Sequence, residues 1–82
     1  MRLKNINEVN AFLAAVDACK GDVWLEDRAG DKLSLKSSFS RYIAMGNLLQ
    51  DKAGELELFC SKSSDEANFV RLFEANPQML AG

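Results

Sequence analysis

Histidine is absent from the 82 residues, cysteine occurs twice, and proline, tryptophan and tyrosine occur once each. Without imidazole and with only two thiols, neither a zinc centre of cysteine and histidine nor a cysteine–histidine nucleophile can be assembled. Cys19 and Cys60 are too sparse for the disulfide framework of a small secreted domain, so two reduced, half-buried thiols are expected. No apolar run approaches the ~20 residues that span a bilayer. The opening Met1-Arg2-Leu3-Lys4-Asn5 lacks the apolar segment of a secretory signal. A cytoplasmic protein follows as the expectation. Neither sign of charge dominates: ten basic against twelve acidic residues give −2, with no long run of either. Nucleic acid and anionic membrane are therefore not expected partners. Asp27, Asp31, Asp65 and the glutamates show no metal-ligand spacing, and the glycines form no phosphate loop. No enzyme activity, metal or cofactor is expected.

What is present is an ordinary globular balance, 48% apolar and 27% charged, in a length that suits one domain over residues 1–82. Met1 and Leu3 alternate with Arg2 and Lys4, a short strand over residues 1 to 5. From Ile6 the period becomes helical, with Ile6, Val9, Phe12, Leu13 and Val16 on one broad face. Asn5 and Glu8 have the spacing of a reciprocal helix start, and Lys20-Gly21 supplies a stop. Asp22 to Arg28 alternates again, Val23 and Leu25 inward, Trp24 and Glu26 outward. Ala29-Gly30-Asp31 reads as a turn, and Lys32 to Lys36 as the returning strand of a hairpin.

Ser37 and Ser38 end that alternation and open a helix running from about Ser38 toward Leu49, with Phe39, Tyr42, Ile43 and Leu49 expected in the core. Gly46 weakens it internally. Gln50 to Gly54 reads as a polar loop. Glu55 to Cys60 alternates, Leu56, Leu58 and Cys60 inward and Glu55, Glu57 and Phe59 outward. Ser63 and Glu66 have capping-box spacing at the head of a last helix carrying Phe69, Val70, Leu72 and Phe73. Asn76-Pro77 ends it. Residues 76–82 are left as a frayed tail.

The order β-α-β-β-α-β-α in so short a chain predicts an α+β fold, a four-stranded antiparallel sheet with helices on one face. That order resembles HPr, the phosphocarrier of the bacterial sugar phosphotransferase system. Lys20-Gly21 looks like the end of its first helix, Gly30 like its hairpin turn, and Lys36-Ser37 with Phe39 like the start of its second helix. Gly54 and Asp65-Glu66 look like the entries to its last strand and last helix. The resemblance implies an HPr-like open-faced β-sandwich. The first hairpin is slightly shorter here, and the second helix with its loop is longer.

In HPr a histidine at the head of the first helix carries the phosphoryl group. The corresponding region here is Asn5-Ile6-Asn7-Glu8-Val9-Asn10-Ala11, without histidine, arginine or proline, so the family's phosphocarrier chemistry is not expected. Glu8 is read as a cap. The family's second site is retained. Ser37, after Lys36, stands where a dedicated kinase phosphorylates many relatives, and the catabolite-repression HPr keeps that serine without the histidine. A phosphate there would meet free amide groups at a helix amino terminus; the plainer role is that of a helix cap.

The resemblance implies a non-catalytic regulatory domain that works by protein contact and is switched at Ser37. Lys36, Phe39 and Tyr42 are its expected partner contacts, and an HPr kinase or a transcriptional regulator its expected partner. The alternative is an oligomeric assembly or adaptor module that reuses the fold. For that reading the face is Trp24 and Phe59, which lie beside each other on the open side of the sheet if the second and fourth strands are neighbours. The plainer role there is that the rings lie under the stems of Arg2, Lys4 or Arg28.

Overall fold

The computed structural model describes residues 1–49 and 56–80. The expected loop at 50–54, the placement of Glu55 and the side chain of Leu49 lie outside the described features. Among the described residues there are three α-helices and a three-stranded antiparallel sheet: α1 (Val9–Ala18), β1 (Val23–Glu26), β2 (Lys32–Ser34), α2 (Ser38–Leu49), β3 (Glu57–Cys60) and α3 (Glu66–Ala75). The sheet order is β2-β1-β3.

Alternation builds the sheet. Val23 and Leu25 of β1 are buried while Trp24 and Glu26 are half-exposed. β1 pairs with β2 at Leu25↔Leu33 and with β3 at Leu25↔Leu58, so apolar residues meet across both ladders on one face. The hairpin turn is held by Asp27, whose carboxylate accepts the N–H groups of Ala29 at 3.0 Å and Asp31 at 2.9 Å. Gly30 turns the chain at a φ of +87°, a conformation glycine adopts without a Cβ penalty.

The segment expected as the first strand makes isolated bridges instead. Arg2 bridges Glu57 and Leu3 bridges Leu80, while the Leu3 N–H donates to the Leu56 carbonyl and the Leu58 N–H to the Met1 carbonyl. The four-stranded expectation becomes, among the described residues, three strands with a short segment laid along β3.

The core lies between the inner face of the sheet and the helices. Phe12 and Val16 of α1, Phe69 and Phe73 of α3, Ala44 of α2 and Val23, Leu25, Leu35, Leu56 and Leu58 share one buried cluster. Phe12 and Phe69 meet ring to ring at 5.8 Å, which joins α1 to α3.

Four helix-end expectations need correction. α1 starts at Val9 rather than near Ile6; Glu8 is its N-cap but its side chain makes no cap hydrogen bond. The Asn7 N–H bonds to the Asn5 carbonyl, which turns the chain before a helix can begin. α1 also stops at Ala18, with Cys19 already extended. Gly21 is needed for close approach rather than for left-handed geometry: a Cβ there would fall 2.5 Å from Ser61 Oγ. At the far end a 3₁₀ turn, Ser63–Asp65, precedes α3, and no side chain caps it in the expected box. Asp65 points instead at the end of α1. Val70 is exposed at 47%, on the solvent side of α3.

The tail expectation is overturned for residues 77–80. Pro77–Met79 forms a 3₁₀ turn, Met79 has no exposed surface, and its carbonyl accepts the Lys4 N–H at 3.0 Å.

Candidate functional site: the outward face of α2

Ser34 starts the turn out of the sheet, its Oγ accepting the Lys36 N–H at 3.2 Å. Leu35 is buried and donates to the Val23 carbonyl, anchoring the chain one residue before it leaves. Ser37 then stands immediately before α2, and its carbonyl accepts the Arg41 N–H at 2.8 Å, the first turn of the helix. Ser37 and Ser38 are both exposed. No acidic residue occupies the first turn. Lys36 is less free than expected of a partner contact, since its Nζ donates to the Cys19 carbonyl at 2.7 Å. A cation there also suits the negative end of α1.

The rotation of α2 about its axis is set by Arg41 and Ala44. Arg41 grips Asp17 of α1 with two parallel bonds, 2.9 and 3.2 Å, and holds that carboxyl below its ordinary range. Ala44 is fully buried and Met45 packs against the core. Successive residues advance 100° around a helix, so residues 39, 42, 43 and 46 fall on the opposite side. Phe39 is accordingly 75% exposed, Tyr42 79% and Ile43 40%. This corrects the expectation that they enter the core: the same 39, 42, 43 spacing serves an inward or an outward stripe, and the small Ala44 is what admits α2 to the sheet. The outcome is an apolar face without a partner within the described chain, beginning within one turn of Ser37.

Gly46 lies on that face, and a methyl group added to its Cα would meet nothing within 4 Å. Gly46→Ala is expected to stabilise the protein by up to ~1 kcal/mol through helix propensity alone, read as a higher urea midpoint at unchanged slope.

Comparison with protein-family models, with curated proteins and with solved structures finds no match. The residues therefore carry the functional argument by themselves.

On the other side of the sheet, Trp24 and Phe59 are partners in the β1–β3 register and stack at 5.7 Å and 17°. Lys32 Nζ lies 5.8 Å from the Trp24 ring centre, and the indole N–H donates to Glu26 at 3.2 Å. Lys32 is thus a cation at the Trp24 ring that the sequence reading did not name, while Arg2 and Arg28, which it did name, stand beside Phe59. Both rings are half-buried within their own chain. Beside Phe59, a shallow hollow of about 100 Å³ is lined by Arg2, Arg28, Glu26, Asp27 and Glu57. Among the described residues no group of three or more cysteine, aspartate or glutamate side chains could hold a metal ion, and no helix is long and apolar enough to cross a membrane.

Proposed function

We propose that the chain is a non-catalytic, HPr-like regulatory domain that acts in the cytoplasm by protein contact, with α2 as its docking face and Ser37 as its point of control. The observation that carries the reading is the exposed trio Phe39, Tyr42 and Ile43 directly following Ser37. A phosphate on Ser37 would meet unpaired amide groups and the positive end of α2, and would place new charge at the rim of the apolar face. The HPr-like arrangement is supported by the pairing of β1 with β3, the expected second and fourth strands, and by residues 1–3 lying along β3. The partners this reading names are an HPr kinase and a transcriptional regulator.

Intact mass after two separate incubations tests it. With ATP and an HPr serine kinase the wild type is expected to gain one phosphate, about 80 Da, and Ser37→Ala none. With phosphoenolpyruvate and Enzyme I no gain is expected, since no histidine is present. Absence of labelling in the kinase reaction would remove the link to the phosphotransferase system.

The assembly reading draws less support, because stacking, Lys32 and Glu26 already partner the Trp24 and Phe59 rings within one chain.

A further inference from the structure

The two thiols occupy one corner of the core. Cys19 belongs to the buried cluster and Cys60 packs against it. Alternation along β3 puts Cys60 on the same inner face as Leu58. The Cys19 thiol donates to the Ala15 carbonyl at 3.2 Å and accepts the Asn68 side-chain N–H at 3.6 Å. Around it, residues 19–22 are clamped to residues 61–65. Asp65 takes the Lys20 and Gly21 N–H groups, and Asp22 and Ser61 exchange bonds of 2.8 and 2.9 Å. Cys60 sits opposite Val23 in the β1–β3 ladder and directly before Ser61, which bonds to Asp22, so both thiols enter the core from adjoining, hydrogen-bonded segments. Cys60 is partly exposed while Cys19 is buried.

We propose that Cys19 and Cys60 form an oxidisable pair that a low-molecular-weight disulfide converts to an intramolecular bridge. The Cys60 thiolate attacks one sulfur of the small disulfide, forming a mixed disulfide and releasing one small thiolate. Cys19, deprotonated, then attacks the Cys60 sulfur and expels the second. Two protein thiols are oxidised, one small disulfide is reduced to two thiols, and two protons balance the exchange.

Burial pushes the Cys60 thiol up to about 11, with further contributions from Cys19 and from Asp65 and Glu66 at the head of α3. The partner of Cys60 across the ladder, Val23, is apolar and adds no charge. Little thiolate is present at neutral pH, and the rate should climb about tenfold per pH unit without levelling near the ordinary thiol value of ~8.5.

The experiment is incubation of the reduced, folded protein with glutathione disulfide between about pH 7 and pH 9.5, followed by an acid quench and intact mass. The expected product is a monomer lighter by about 2 Da, its two hydrogens lost, reversed by dithiothreitol. Its thermal midpoint should rise by roughly 5 °C or more, because the bridge constrains the unfolded chain. Cys19→Ala should stop at a glutathione adduct on Cys60. Cys60→Ser, changed at a half-exposed position, should take up nothing while folded. A wild-type protein that accumulates the mixed disulfide, forms a covalent dimer or keeps both thiols titratable would overturn the proposal.

Discussion

Met79→Ala is expected to lower the stability of the folded protein by about 2–4 kcal/mol, the cost of emptying a fully buried site. A domain of this size holds roughly 4–12 kcal/mol in all, so the variant should be visibly unfolded at moderate urea. The side chain has no exposed surface. Its backbone is fixed at the same time: the Met79 N–H donates to the Asn76 carbonyl, its carbonyl accepts the Lys4 N–H, and the next residue bridges Leu3. Urea unfolding followed by tryptophan fluorescence checks it. A frayed segment would leave the midpoint where it was, so an unchanged midpoint would refute the docked arrangement.

Asp65→Asn should be the most damaging polar substitution, lowering the thermal midpoint by roughly 5–15 °C. Asp65 is only 4% exposed, and its two oxygens accept the Lys20 N–H at 3.0 Å and the Gly21 N–H at 2.8 Å. An amide in its place presents one acceptor and one donor group, so one of those N–H groups would face another donor. Those two backbone bonds, the larger from Lys20, hold the Asp65 carboxyl below its ordinary value of 3.8. A carboxyl lowered by folding contributes stability that is complete above its unfolded value and is lost as pH falls through the folded one. Acid titration monitored by circular dichroism should therefore show the wild type losing stability below about pH 4, and the Asn variant losing less over the same interval. Asp17, lowered by Arg41, adds to the acid loss in both proteins, but it is exposed and screened. Equal acid slopes for wild type and variant would show that Asp65 does not set the limb.

Alternation and turn chemistry made the hairpin and β3 legible: Val23, Leu25 and Leu58 are buried as their period requires, and Asp27 and Gly30 close the turn. Ser37 before α2 and the end of α3 at Asn76 were legible for the same local reasons. Where sequence reading failed, the deciding partner lay far along the chain. Asp65 reads as one of two acidic residues at the head of the last helix, yet its donors sit 45 and 44 positions away. The stripe Phe39, Tyr42, Ile43 has the spacing of a core face, and only the grip of Arg41 on Asp17 and the burial of Ala44 turn it to solvent. Residues 77–80 carry no period at all, because they are held by backbone bonds and by one inserted methionine rather than by a repeating face. The start of α2 next to Ser37 was thus legible, whereas periodicity alone put Phe39 and Tyr42 in the core although the resemblance named them as contacts.

The bridge between Leu3 and Leu80 has a consequence for architecture beyond this chain. A polypeptide entering the fold at Leu3 leaves it beside its point of entry, so the domain closes on itself like a loop on a stem. Such a unit can be spliced into a surface turn of a host protein while hardly displacing the host's flanking segments, and it can be reopened elsewhere by joining its two ends through a short linker. The solvent-facing hairpin turn at Gly30 offers the natural place for the new opening.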